Sequence, residues 1–352
     1  MFSGELSKSI SRISISIIAL ITAVYFSYLF FDIILMIAIS ILLAMIFNPL
    51  VKLLESQNIN RLVSVLIVFA FSGVGIFFIL SILIPKIVSQ MNTISVALSK
   101  ENVDIFLSQI DVAVKTYIPF ADSTDVAGKI SSFISSLIFD SINNISNIVS
   151  SIVSIIAIAV IVPFMTFFIL KDNQSIIKGL VNIMPNKYFE VSYWVIWKIR
   201  EQLGRFVRGW ILDAFLVGFM SAIGLSFLGI QNSITIGFIA GVGHLIPYFG
   251  PIIGGLPAII ISLIQFGDLS MLPSILILFV IIYTLDNGYI QPNVFSKSTD
   301  MHPLVIIILI LAGSQLLGIF GMLLAVPVAT VIKTAAREIY LGYKNYKIIK
   351  LV

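Results

Sequence analysis

The sequence contains no cysteine and few charges. Without cysteine, the chain has no disulfide, no thiolate metal site and no cysteine nucleophile. Only 11% of its 352 residues are charged, and a soluble domain of this size would need far more charge to cover its surface. The remaining composition is 59% hydrophobic with a mean hydropathy of +1.10. These values predict an all-α polytopic membrane protein that lies in a lipid bilayer.

Residues for catalysis are also scarce. The only imidazole bases are His244 and His302, and the chain lacks GxxxxGK[ST], HExxH and GxSxG motifs. We therefore expect no enzyme, no cofactor, no metal site and no ATP-driven pump within this chain. The net charge of +4 does not predict nucleic-acid binding, because the basic residues lie beside apolar spans and set topology instead.

Uncharged stretches predict the membrane spans. Nineteen uncharged residues separate Arg12 from Asp32, and another nineteen separate Asp32 from Lys52, which predicts a helical hairpin with Asp32 at its turn. We expect about six to eight transmembrane helices, and the basic segments near the C-terminal half place both termini in the cytoplasm. The predicted organisation is an N-terminal hairpin and third span (1–85), an extracytoplasmic helical subdomain (86–147), a fourth span (148–170), a cytoplasmic interfacial helix (171–208), a transport core (209–332) and a cytoplasmic tail (333–352).

Two segments of the transport core, 233–266 and 303–332, are apolar but contain many helix-breaking residues. The stretch AGVGHLIPYFGPIIGGLP, Ala240 to Pro257, contains five glycines and three prolines inside a run of 54 residues without Lys, Arg, Asp or Glu. A broken helix at membrane depth is tolerated only where protein or a water-filled cavity satisfies its backbone. These two segments are therefore predicted to be broken or re-entrant; whether they cross the membrane or fold back stays open.

The same pattern of residues occurs in both broken segments. Ala240-Gly241, seven residues, Phe249-Gly250 and Pro257 compare with Ala312-Gly313, six residues, Phe320-Gly321 and Pro327. Small residues are common in membrane helices, so chance is an alternative explanation. If the similarity reflects a repeat, the segments enter from opposite sides, as in secondary transporters with a midplane binding site.

Polar side chains within apolar surroundings are the candidate site. The predicted substrate or ion pathway comprises His244, Pro247, Gly250, Pro251, Gly254, Asp286, Asn287, Gln291, Gly318, Gly321 and Pro327. Proton coupling is assigned to Asp213 and His244, since ionisable groups at membrane depth are costly unless functional. Alternatives remain: His244 bonded to a broken-helix carbonyl, Asp213 paired with Arg205 or Arg208, and the Asp286 cluster at a solvated helix end.

The C-terminal half resembles a known family. The blocks HLIPYFGPIIGGLPA (244–258), LDNGYIQPNVFSKSTDMHPL (285–304) and LGIFGMLLAVPVATVIK (317–333) are similar to those of the AI-2E family, autoinducer-2 exporter-like bacterial permeases. RGW at 208–210 resembles the family's RGQ, although Trp210 replaces the usual glutamine. Ser296 also departs from the glycine usual before the lysine. The resemblance implies a bacterial inner-membrane exporter that forms homo-oligomers, with some members similar to sodium/proton antiporters.

We therefore expect a secondary exporter of a small polar metabolite or signal molecule. A monovalent cation (sodium or lithium)/proton antiporter is one alternative, with Asp213 or Asp286 as the carboxylate that binds cation and proton in turn. A membrane scaffold protein whose outer subdomain binds partners is another. The sequence does not identify the substrate, the direction of transport, the coupling ion or the number of subunits.

Overall fold

The computed structural model describes residues 29–97, 152–185, 189–268, 270–295 and 301–349, together with positions 22, 25 and 26. Within these ranges every regular element is a helix, which confirms the predicted all-α class. Most of the predicted subdomain 86–147 and the first half of the predicted hairpin lie outside the described residues.

The described elements follow one another as ten α-helices and one π-helical turn. They are α1 Phe31–Glu55, α2 Arg61–Ala97, α3 Ile152–Lys171, α4 Asn173–Asn182, α5 Phe189–Phe227, α6 Ser233–Gly243, α7 Gly250–Phe266, α8 Leu272–Leu285, the π-helical turn Asp286–Ile290, α9 Gln291–Phe295 and α10 Pro303–Ile349. By length and composition alone, five helical stretches of the described residues could span a membrane, or six if α3 and α4, which meet at a 78° bend, count as one span. They are Phe31–Glu55, Arg61–Lys86, Phe189–Phe227, Leu272–Val294 and Pro303–Gly342, of which the last is interrupted at Gly318. The polytopic membrane fold is thereby confirmed.

The chain divides into two compact units, and the first combines residues 1–65 with 153–176. Here polar groups join α1 to α3: the Ser40 hydroxyl donates to the Val162 carbonyl at 3.2 Å, and the Thr166 hydroxyl donates to the Ser40 carbonyl at 3.3 Å. The Arg61 guanidinium donates to the Leu170 carbonyl and pairs with Glu55. Arg61 thus satisfies a carbonyl at the end of α3 that the helix leaves unbonded.

The second unit combines residues 66–152 with 177–352, and its longest straight element is α5. The structure has one continuous helix where the sequence analysis predicts an interfacial helix followed by a separate span; no proline interrupts Phe189–Phe227. Its 39 residues extend over about 58 Å, well beyond the roughly 30 Å hydrocarbon core. The excess length packs antiparallel on the end of α10, where Trp194 donates to Glu338 and Thr334 donates to Gln202.

The first broken segment is an antiparallel helical hairpin of α6 and α7. A Cβ added to Gly254 would lie 2.5 Å from the Ala240 Cβ, and one added to Gly243 would lie 2.9 Å from the Ile253 Cβ. Both glycines therefore allow a close approach that larger residues would prevent. The 11 residues of α6 rise only about 16 Å, which is too short to cross a bilayer.

The second broken segment lies within α10. Gly318 has φ 57° and ψ −135°, which interrupts the helix. Gly313 and Gly321 face each other so closely that a Cβ on either would collide with the backbone of the other. Eight residues apart on a straight helix, their Cα atoms would be separated by about 12 Å along the axis. The chain therefore folds back on itself at Gly318.

Candidate functional site

Three buried ionisable side chains meet in the second unit. Asp213, His244 and Asp286 are 3%, 1% and 1% exposed. The His244 Nε2 atom lies 3.3 Å from Asp213 Oδ2 and 3.3 Å from Asp286 Oδ2. These residues come from three different elements, so only the tertiary fold brings them together. We call them the Asp-His-Asp cluster.

Small residues bring Asp213 to the cluster by letting α5 and α6 pack closely. A Cβ on Gly218 would lie 2.8 Å from the Gly237 carbonyl oxygen, and one on Gly241 would lie 2.9 Å from the Ala214 carbonyl oxygen. Because Ala214 directly follows Asp213, this contact holds the carboxyl group beside the C-terminal end of α6. Close backbone approach through small residues is typical of membrane helix pairs.

The break after α6 positions His244. Its backbone N–H donates to the Ala240 carbonyl at 2.9 Å, so it ends the helix rather than continuing into the turn. Gly250 at the start of α7 faces the imidazole, and a Cβ there would lie 2.6 Å from His244 Nδ1. The glycine therefore leaves the volume that the ring occupies. Pro247 lies in the turn and Pro251 in the first turn of α7, where a missing N–H is tolerated.

A π-helical turn positions Asp286 and Gln291. The backbone N–H of Gln291 donates to the Asp286 carbonyl, five residues earlier. The Gln291 side-chain Nε2 also donates to Asp286 Oδ2 at 2.9 Å. Pro292, which follows at once, lacks the N–H that a regular α-helix would use here. Single π-turns inside α-helices are frequent at functional sites.

Three buried atoms of the Asp-His-Asp cluster have no hydrogen-bond partner among the residues that the structure describes: Asp213 Oδ1, His244 Nδ1 and Asp286 Oδ1. Buried polar atoms are normally paired, and an unpaired one is costly. The ligand atoms of the cluster lie within 4.8 Å of one another. This arrangement can bind one proton or one small cation between two carboxylates.

The structure separates the predicted residues into two groups. Asp213 pairs with His244 and not with Arg205, whose guanidinium binds Glu201 at 2.9 Å. Asp286 is buried in the cluster and does not lie at a solvated helix end.

Other predicted residues do not join the Asp-His-Asp cluster. Asn287 is half-buried in the π-helical turn, and its side-chain amide donates to the Tyr283 carbonyl. Gly254 serves the α6–α7 contact. Gly318, Gly321 and Pro327 belong to α10 and supply no side-chain ligand.

Sequence reasoning missed several buried residues near these elements. Gly218 and Gly237 make the closest α5–α6 contacts, and the spacing of Gly237 and Gly241 is a GxxxG pattern that predicts such contacts. The indole Nε1 of Trp210 and the hydroxyl of Thr235 are buried without a hydrogen-bond partner. No sequence pattern distinguishes these two polar atoms from others on apolar helices.

Broken helices whose ends meet buried ionisable side chains are the architecture of membrane transport proteins. The comparisons with known proteins agree with this class. The AI-2E family transporter model matches residues 15–341, and the chain belongs to this family.

The chain is 26% identical to YrrI of Bacillus subtilis over 300 residues, which cover 84% of this chain and 83% of YrrI. It is 28% identical to YueF of the same organism over 321 residues, covering 88% and 84% of the two chains. PerM of Escherichia coli K12 is 28% identical over 175 residues, about half of each chain (49%). The names of these relatives describe transport proteins or a permease.

Proposed function

We propose that this membrane transporter is a proton-coupled secondary exporter of a small polar solute, and that the Asp-His-Asp cluster is its coupling site. The observation that carries the proposal is the convergence of Asp213, His244 and Asp286 on one buried point with unpaired polar atoms. Ionisable groups in a membrane interior are expensive and mark ion or substrate routes.

Charge accounting supports a proton as the coupling ion. Two carboxylates carry two negative charges, and an imidazolium at His244 offsets one of them. A site with a remaining net charge is costly to carry through a low-dielectric region, whereas uptake of one proton makes it neutral. Proton binding on one side and release on the other therefore fits an exchanger that moves solute outward as protons enter.

The two broken segments are proposed to form the gate around this site as re-entrant hairpins. The hairpin of α6 and α7 holds His244, and α10 folds back at Gly318. Close glycine contacts hold the chain at both turns. We place the protein in the bacterial inner membrane with both termini in the cytoplasm, because the basic ends of α5 and α10 pack together.

The proposal also includes a homo-oligomer in the bilayer. Phe71 and Phe77 on α2 are 81% and 68% exposed, so this helix offers an apolar face to lipid or to another copy of the chain.

Flux measurements in proteoliposomes test the proposed function. A pH gradient is imposed and a panel of small polyhydroxylated solutes, including furanone-type signal molecules, is assayed one at a time. We expect gradient-driven movement of at least one solute by the wild type. His244→Ala and Asp213→Asn should lose the gradient-driven part. The matched control is Asn293→Ala, an exposed side chain that bonds only the Tyr289 carbonyl in its own helical turn. Full gradient-driven flux in both cluster variants would contradict proton coupling.

A monovalent cation/proton antiporter is the second candidate. It is favoured by the two unpaired carboxylate oxygens, Asp213 Oδ1 and Asp286 Oδ1, because oxygen ligands suit hard cations such as sodium. Everted membrane vesicles with a trapped pH dye distinguish the two candidates. A pH change on addition of sodium or lithium chloride supports the antiporter, and its absence together with solute-dependent proton movement supports the exporter.

A further inference from the structure

We propose that the Asp-His-Asp cluster is a binding site for a divalent transition-metal ion such as Zn²⁺. Its ligands are the His244 Nε2 atom and one carboxylate oxygen each from Asp213 and Asp286. The inference goes beyond the proposed function, because it depends neither on the transported solute nor on protons as the driving ion. From the sequence we expect no metal site, since it has no ligand motif such as HExxH, but the fold brings these three residues together.

The spacing of the three ligand atoms suits a small metal ion. His244 Nε2 is 3.3 Å from Asp213 Oδ2 and 3.3 Å from Asp286 Oδ2. A hydrogen bond of this kind is usually about 2.9 Å long, and a single N–H does not point well at two acceptors at once. In tetrahedral zinc sites, metal–ligand bonds of about 2.0–2.2 Å separate neighbouring ligand atoms by about 3.3–3.6 Å. Both distances from the imidazole therefore match an edge of such a tetrahedron.

The charges of the three side chains favour a divalent ion. The two carboxylates carry two negative charges, and an imidazole that binds a metal through Nε2 is neutral, with its proton on Nδ1. A divalent cation cancels both charges, whereas a monovalent cation leaves one uncompensated. The three side chains are only 1–3% exposed, and net charge at such a buried point is costly. A bound Zn²⁺ thus makes the site neutral.

The kinds of ligand atom favour a transition metal over sodium, magnesium or calcium. Imidazole nitrogen suits zinc and its neighbours, whereas the hard cations bind six or more oxygens when fully coordinated. Helices α6, α7 and α9 contain no Asp or Glu, so these elements add no carboxylate to the two of the cluster. A set of one nitrogen and two oxygen ligands leaves the fourth tetrahedral position open, as in zinc sites that bind a further molecule.

Gln291 supports this site as a positioning residue. Its Nε2 atom donates to Asp286 Oδ2 at 2.9 Å, and the π-helical turn joins the two residues through their backbone. Carboxylates that bind metals are commonly oriented by such a hydrogen bond from a neighbouring side chain. Asp213 Oδ1 and Asp286 Oδ1 have no hydrogen-bond partner in the part of the chain that the structure describes. A bound cation would stabilise carboxylates that are otherwise buried and incompletely paired.

Calorimetric titration with zinc chloride tests the site without a solute or a gradient. The full chain is purified in detergent and freed of metal with a chelator. We expect one zinc ion per chain for the wild type. Asp213→Asn and Asp286→Asn should each weaken zinc binding more than Gln291→Ala, for which the loss should be about 10–100-fold. The matched control is Asn293→Ala, whose exposed side chain bonds the Tyr289 carbonyl; its affinity should equal that of the wild type.

A cysteine variant tests whether position 244 binds the metal directly. His244→Cys replaces one zinc ligand by another, and the natural chain has no cysteine. A thiolate-to-cobalt charge-transfer band on addition of cobalt chloride therefore identifies this side chain as a ligand. We expect the band in His244→Cys and none in Asn293→Cys. Size-exclusion chromatography establishes that each variant is folded, and the cysteine variant keeps the test decisive if an asparagine variant is not.

Three results would overturn the inference. Equal zinc binding by the wild type and the folded aspartate variants would mean an adventitious ion only. The absence of the charge-transfer band in folded His244→Cys would remove His244 as a ligand. Displacement of cobalt from the wild type by an equal concentration of sodium or magnesium would assign the cluster to a hard cation.

The outcome is separable from that of the proposed exporter. Zinc binding that depends on the cluster, without gradient-driven flux for any solute, would support the metal site while overturning the exporter. Gradient-driven flux by a chain that binds no zinc would overturn the metal site and leave the exporter intact.

Discussion

The first broken segment, 233–266, and the second, 303–332, both turn the chain through a close contact between a glycine and a backbone carbonyl, but they carry different chemistry. In the first, Gly250 packs against the Ala240 carbonyl oxygen; in the second, Gly321 packs against the Gly313 carbonyl oxygen. The carbonyl belongs to the alanine of the Ala-Gly pair in the first segment and to its glycine in the second, so the two contacts are similar in kind but one residue apart in the aligned pattern. The internal repeat stays a prediction.

The differences lie in the residues placed at each turn. The first segment has His244, a titratable side chain, three residues after Gly241, and the second has the exposed Leu316 three residues after Gly313. The backbone break and the proton site are therefore separable features. Close glycine contacts accompany both helix breaks, whereas the ionisable cluster that the described residues contain lies where α5 and the π-helical turn approach the first segment.

The largest effect on flux is expected from alanine substitutions at the two aligned positions, 244 and 316. His244→Ala should reduce pH-gradient-driven flux to the level of liposomes without protein, because it removes the imidazole that lies within 3.3 Å of both carboxylates. Leu316→Ala should leave proton coupling unchanged. Flux assays on the two variants side by side measure this difference, and equal losses in both would show that the segments share the coupling function.

Filling the glycine contacts should destabilise both segments to a similar degree. Gly250→Ala and Gly321→Ala each place a Cβ against backbone or His244 atoms, which costs about 1–3 kcal/mol by overpacking. Gly75→Ala is the control, since no atom lies within 4 Å of its Cβ position; its helical location favours alanine by about 1 kcal/mol. Thermal unfolding in detergent measures the three. If Gly321→Ala left the melting temperature unchanged while Gly250→Ala lowered it, the result would contradict the interpretation of the two segments as a repeat.

At the turns we expect a comparable loss of stability for a substitution of Gly318 and a smaller loss for a substitution of Tyr248. Gly318 has φ 57° and ψ −135°, a conformation that costs other residues roughly 1–3 kcal/mol, so Gly318→Ala should lower the melting temperature. Tyr248 already has φ 73°, and asparagine tolerates this left-handed region well. Tyr248→Asn should therefore cost less than Gly318→Ala. The reverse order would mean that side-chain packing and not backbone strain controls the first turn.

The sequence predicts individual polar residues well because a charge in an apolar run is conspicuous. Asp213, His244, Asp286 and Gln291 were all candidates on that ground. Their convergence was not predictable, because it depends on the close α5–α6 contact and on contacts between residues far apart in the chain. Asn287 shows the limit: its position beside Asp286 suggests a shared site, but its half-buried side-chain amide donates to the Tyr283 carbonyl and not to the cluster.

Helix boundaries were predictable only where a residue type enforces them. Proline and glycine marked both broken segments, and the structure turns at 244–249 and at Gly318. The boundary that the charge pattern predicts after residue 208 is not a helix end in the structure, because α5 runs without a break from Phe189 to Phe227. The π-helical turn follows from Pro292, but sequence alone does not separate a π-turn from a kink or a helix end.

The most direct measurement of the central claim is the charge displaced by a pH jump across proteoliposomes adsorbed on a solid-supported membrane. This pre-steady-state current reports proton binding and needs no solute. The wild type and Asn293→Ala should give equal transient currents, and Asp213→Asn should give none. A wild-type current in Asp213→Asn would contradict the assignment of the Asp-His-Asp cluster as the proton site.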